Sequence, residues 1–103
     1  MAKNPTPNPE LDQEINRLVH EPARLKILAF LSLLERADFT FLVSRLGLTM
    51  GNLSAHLSTL EEAGYIEIQK GYKDNRPQTV IYITDEGRAA YESYRDQMLQ
   101  LLQ

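Results

Sequence analysis

The sequence predicts an α+β fold, mainly helical, in which two short consecutive helices lead into a β-hairpin and a closing helix. Three observations predict it. Leu53, Leu57 and Leu60 recur at i, i+4 and i+7, one buried face of a helix, and Gly64 follows where a helix end often requires a left-handed residue. Two alternating runs, residues 65–69 and 80–83, read as strands around a polar, basic tip that begins at Gly71. Gly47 separates the leucine-faced helix from a shorter helical pattern before it.

Each element has its own signal. Residues 1–9 hold Pro5, Pro7 and Pro9 among small polar residues and read as a disordered arm, leaving residues 10–103 as one domain. Leu11, Ile15, Leu18 and Val19 form an apolar stripe on an opening helix of about a dozen residues. His20 closes that helix, where an imidazolium suits the C-terminal dipole. Pro22 fits the first position of the next helix. Leu25, Ile27, Leu28, Phe30, Leu31 and Leu34 make that helix apolar almost all round, so it reads as the central buried one. Phe39 reads as a short strand or turn residue, and Thr40 as the N-cap of a helix over 41–46. Thr49 is the N-cap of the helix over 50–63, and Thr84 that of the last helix, with Asp85 and Glu86 in its first turn. Helix, turn, helix, hairpin, helix is the order of a winged helix-turn-helix. That order delivers one helix and one β-ribbon tip to a common face, an arrangement that suits DNA.

Composition narrows the function classes. Without cysteine among its 103 residues the chain has no disulfides and no thiolate metal site, which matches a cytoplasmic setting. No apolar run approaches membrane-spanning length, and the N-terminus lacks a signal-peptide core. His20 and His56 stand in different segments and make no metal site, so no cofactor is expected. Glu61, Glu62 and Glu67 have no nucleophile or paired base beside them, so the chain does not read as an enzyme. The net charge of −3 argues against a polyanionic partner, but its distribution argues for one. Residues 41–60 carry +1 and residues 70–76 carry +2, which leaves −6 on the rest of the chain. A basic face on an acidic body can still bind phosphates.

The helix over 50–63 is the candidate recognition helix. Opposite its leucines a 100° step places Gly51, Ala55, Ser58, Thr59 and Glu62, with Asn52 and Ser54 on the flanks. This surface is small and polar through two turns and acidic only at its far end, as befits a helix that enters the major groove N-terminus first. Thr49, Met50, Gly51, Asn52, Ser54, Ala55 and Ser58 are therefore the candidate groove contacts. Asn52 can address adenine, but no arginine or lysine is present to grip guanine, so sequence discrimination should be modest. In the hairpin, Lys70, Tyr72, Lys73 and Arg76 are the candidate wing contacts. Arg76 is expected along or in the minor groove and Lys73 on phosphate, with Asp74 orienting Arg76 through an ion pair. Pro77 should limit strand pairing at the base of this tip. Arg45 is a further candidate for the DNA backbone. His56 lies beside the apolar stripe and should pack there with one nitrogen hydrogen-bonded. In the last helix Tyr91, Tyr94, Met98, Leu101 and Leu102 exceed what one small core needs. Together with Leu11, Ile15 and Leu18 they read as a homodimer surface with twofold symmetry.

These residues carry a family resemblance. His20-Glu21-Pro22-Ala23-Arg24-Leu25-Lys26-Ile27-Leu28 resembles the opening of small ArsR- and MarR-like winged helix regulators. Leu48-Thr49-Met50-Gly51-Asn52-Leu53-Ser54-Ala55-His56-Leu57 is similar to their recognition helix, and Leu60-Glu61-Glu62-Ala63-Gly64-Tyr65-Ile66 to its end. Lys73 to Arg76 resembles the MarR wing, and Ile83-Thr84-Asp85-Glu86-Gly87-Arg88 the start of the last helix. The resemblance covers about residues 11–100 and implies a dimeric transcriptional regulator on a near-palindromic duplex. The chain departs from metal-sensing ArsR members in lacking cysteine, and it is shorter than MarR proteins. Two functions from different classes follow: a DNA-binding regulator, or a winged helix used for protein–protein contact, which the acidic balance suits. A small-molecule effector is neither supported nor excluded.

Overall fold

The computed structural model describes residues 13–103. Its elements run α1 (Pro22–Leu34), β1 (Arg36–Asp38), α2 (Phe39–Leu46), α3 (Met50–Glu62), β2 (Ile66–Lys73), β3 (Arg76–Ile83) and α4 (Asp85–Leu101). The strands form one antiparallel sheet in the order β1-β3-β2. With α2, the Gly47 turn and α3 ahead of the β2–β3 ribbon, this is a winged helix-turn-helix.

The helices start and stop through their own side chains. Glu21 caps α1 by accepting from the Arg24 amide at 2.7 Å, directly before Pro22. Thr49 does the same for α3 through the Asn52 amide at 3.0 Å, and Thr84 for α4 through the Gly87 amide at 2.9 Å. Gly64, at φ +80, ends α3 in a Schellman motif: its amide donates to Glu61 and the Tyr65 amide to Leu60. On α3 only Leu53, Leu57 and Leu60 are buried, and each contributes about 1.5–3 kcal/mol by leaving water. They meet Ile27, Leu28 and Leu31 of α1, Leu42 of α2, and Ile66 and Ile81 of the sheet in one core.

Four expectations fail, each for a local reason. The opening helix is absent from its described part, because residues 14–16 are irregular and residues 17–21 run as turn and bend. There the Asn16 carboxamide oxygen accepts from the amides of Leu18 and Val19, which would otherwise propagate a helix. Ile15 and Leu18 still pack on the core and Val19 is fully buried, so the apolar spacing serves a single turn. Leu11 and the arm over 1–9 lie outside the described residues. His20 consequently closes no helix, and its Nδ1 shares a 2.6 Å hydrogen bond with the Tyr94 hydroxyl. Phe39 is the first residue of α2 rather than a strand residue, with Asp38 at the N-cap position in place of Thr40. The Asp38 carboxylate caps nothing, because it accepts from Gln78 Nε2 at 2.9 Å. Pro77 does not shorten the wing, since β2 and β3 stay paired out to Lys73 and Arg76. In a two-residue hairpin the pair that closes the turn is hydrogen-bonded and the next is not. The Pro77 nitrogen thus faces the outer side of β3, where β1 reaches only to Val80.

The dimer reading is narrowed. Tyr94 is 7% exposed within the single chain, its ring taken up by the core and its hydroxyl by His20. Tyr91 and Met98 also pack against the core, while Leu99, Leu101 and Leu102 stay exposed at the end of α4, Leu102 at 82%. No helix among the described residues is long and apolar enough to cross a membrane.

Gly87 is buried at the start of α4, and a Cβ there would fall on the Tyr65 carbonyl. Gly87→Ala should therefore cost about 1–3 kcal/mol. Glu35 ends α1 at φ +70, a conformation that disfavours a side chain, so Glu35→Gly should gain up to about 1 kcal/mol. Thermal unfolding followed by circular dichroism should move in opposite directions for the two variants. An unchanged midpoint for Gly87→Ala would mean that the α4 junction yields freely.

Candidate nucleic-acid interface

The proposed recognition surface is open. Thr49, Met50, Gly51, Asn52, Ser54, Ala55 and Ser58 are all exposed, Met50 at 64%. This follows from the leucine spacing, since a helix that buries positions 53, 57 and 60 must turn the intervening small polar residues outward. Thr49 also has a structural part, because its hydroxyl caps α3. Among the groove candidates it therefore presents the least freedom to rotate toward a ligand.

The ribbon divides the wing candidates between two faces. Side chains alternate along a strand, so Lys70 and Tyr72 share the face of Ile66 and Ile68, and across the register so do Pro77, Thr79 and Ile81. This face turns toward α3. Lys73 and Arg76, paired beside the turn, lie on the opposite face with Gln78, Val80 and Tyr82. The four residues are thus not one cluster. Lys70 joins Met50, Ser54 and Ser58 in a groove between α3 and the wing, which Phe39, Leu57, Glu61, Ile68 and Thr79 complete. Lys73 and Arg76 instead line a hollow with Thr40, Gln78 and the acids Asp38 and Asp74 at the open edge of β3.

Asp74 and Asn75 form the turn with φ of 53° and 63°, both left-handed, as a type I′ hairpin turn requires. The expected Asp74–Arg76 ion pair is absent: among the described residues Arg95–Asp96 is the ion pair, and Glu21 stands beside the His56 imidazole. Asp74 is held in the turn by its backbone, and Arg76 leaves on the face opposite to Tyr72. Lys70, Lys73 and Arg76 are exposed and form no ion pair with another described residue, so their charge stands open to a polyanion. Arg45 is exposed as well, with its guanidinium carbon 5.1 Å from the centroid of the Phe30 ring and 5.7 Å from that of Phe41. The aromatic pair fixes the direction of this cation without neutralising it.

Sequence reasoning missed three participants. Phe39 and Thr79 line the groove beside Lys70, and only the strand register could have placed them there. Arg24 is the third. Its Nε donates to the Leu18 carbonyl at 2.7 Å and its Nη1 to His56 Nδ1 at 3.3 Å, while Glu21 Oε1 lies 3.8 Å from the same imidazole nitrogen. Arg24 thereby ties the turn over residues 17–20 and the start of α1 to the flank of α3. His56 packs beside the leucine stripe with a nitrogen hydrogen-bonded, and it steadies α3 from the side away from the wing.

Residues 23–102 match the model of a family described as winged helix DNA-binding domain. The chain is 42% identical over 85 residues to an uncharacterized protein of Methanocaldococcus jannaschii, covering 82% of this chain and 92% of that relative. It is similar to the structure of a transcriptional regulator homologue protein from Pyrococcus horikoshii OT3, with a TM-score of 0.81, 31% identity and 91% of each chain covered. A mutant MarR from E.coli superposes with a TM-score of 0.72 at 21% identity, over 91% of this chain and 71% of that one, a likeness of fold.

Proposed function

The chain belongs to the winged helix DNA-binding domain family, and on that premise we propose that it binds double-stranded DNA as a transcriptional regulator. In this reading α3 enters the major groove with Met50, Gly51, Asn52, Ser54, Ala55 and Ser58, and the wing follows the backbone and the adjacent minor groove. One observation carries it. An exposed helix face of hydroxyl, amide and small side chains stands beside a ribbon whose three cations have no ionic partner among the described residues. The acids of α3, Glu61 and Glu62, are confined to its last turn, away from the end that leads into the groove. Phosphate contacts supply most of the affinity in such an arrangement, and Asn52 supplies the modest base preference.

We also propose a homodimer with twofold symmetry, so that two copies of α3 address half-sites about one helical turn apart. The exposed Leu99, Leu101 and Leu102 at the end of α4 support this, and they narrow the surface from the wider stripe to its last turn.

Fluorescence anisotropy with a mixed-sequence duplex across a salt series tests the first proposal. Affinity should fall steeply with salt, and Arg76→Ala should weaken binding and make the slope shallower by about one. Absence of binding at low salt would overturn it. Sedimentation equilibrium tests the second: the wild type should associate to twice the chain mass, and Leu99→Glu with Leu102→Glu should give a monomer with unchanged circular dichroism. A wild type that stays monomeric across the concentration range would sink the dimer.

A further inference from the structure

When a helix occupies the major groove and a ribbon the neighbouring minor groove, one sugar–phosphate strand runs between them, because one strand separates those grooves. We infer that the groove between α3 and the wing is the seat of that strand, and that Glu61 is the residue that ends the seat. The inference rests on the DNA reading above and deepens it.

The chemistry along the groove changes in one direction. Ser54, Ser58 and Glu61 follow one another along the same side of α3 at i, i+4 and i+7, and all three line the groove. Facing them from β2 is Lys70, the one cation in the lining, with Thr79 opposite it in register. From the start of α3 a phosphate therefore meets hydroxyl donors and an ammonium group, and then a carboxylate. Lys70 and Glu61 form no ion pair, so neither neutralises the other. Met50, exposed at the first turn, gives the groove an apolar lip that suits a deoxyribose.

Beyond Glu61 the surface changes character. The next hollow is lined by Glu61, Glu67 and Glu86 without a lysine or arginine. Glu61 belongs to both and marks where the potential along the strand's path turns from attractive to repulsive. A strand that follows the groove leaves the protein there. Glu61 thus limits, by repulsion, the length of strand that the groove holds, and lowers the affinity for the duplex.

The test uses the full chain, the same duplex and the same salt series, with Lys70→Ala, Glu61→Gln and Glu86→Gln beside the wild type. The last variant makes the same charge change outside the groove. Lys70→Ala should weaken binding and reduce the salt slope by about one. Glu61→Gln should tighten binding by about threefold, the scale of an exposed charge–charge interaction. Glu86→Gln should tighten it clearly less. If wild type binds but Glu61→Gln and Glu86→Gln have equal effects, only net charge is at work and the assignment of Glu61 fails. If wild type binds and Lys70→Ala keeps the full slope, the strand does not run through this groove. If wild type does not bind at low salt, the DNA reading fails and this assignment with it.

Discussion

The relation between α3 and the wing depends on one crowded junction, where the end of α3, the start of β2 and the start of α4 meet around the Tyr65 backbone. Thr84 donates its amide to the Tyr65 carbonyl at 3.0 Å and its hydroxyl to the Gly64 carbonyl at 2.6 Å, while that hydroxyl accepts from the Gly87 amide. The Tyr65 carbonyl also sits against the Gly87 Cα, at a distance that admits no side chain. The Tyr65 hydroxyl accepts from Asn16 at 3.1 Å, which fastens the N-terminal turn to the same point. Three segments distant in sequence are thereby fixed within a few residues. The direction in which β2 leaves α3, and so the width of the groove between them, follows from this junction.

Electrostatics then acts on a frame already set. The chain carries a net charge of −3, yet Lys70, Lys73 and Arg76 stand exposed along the wing and Arg45 on α2, with Asp74 as the only acid in the wing turn. Arg24 and Arg88 serve the fold instead. Arg24 links α1 to His56 and the Leu18 carbonyl, and Arg88 donates to the carbonyl and hydroxyl of Ser32. Cations with internal partners hold the helices together, while those without remain open to a polyanion. The division follows position: Arg24 and Arg88 lie on helices that face one another, whereas the wing projects beyond the core.

Much of this was legible in the residues. The leucines at 53, 57 and 60, the caps at Thr49 and Thr84, the stop at Gly64 and the two alternating runs are local signals, and local physics decides them. The readings that failed depended on competition the chain order does not display. Asn16 offers its side chain to amides that an opening helix would have used, and Asp38 prefers Gln78, forty residues away, to its own helix end. Tyr94 looked like surplus apolar surface because the stripe on α4 is wide, but the core that takes its ring and the His20 that takes its hydroxyl lay outside any local window.

By itself the sequence determined the order helix, turn, helix, hairpin, helix from α2 onward, the leucine face of α3 and the concentration of basic residues in the wing, since each arises from contacts within a few residues. Only the tertiary structure decided which face of the ribbon each cation occupies, that Lys70 shares a groove with Ser54 and Ser58 while Lys73 and Arg76 turn away, and which apolar residues of α4 remain exposed. Those outcomes hang on strand register and on helices packed across the core, and such pairings join residues whose separation along the chain carries no trace of their contact.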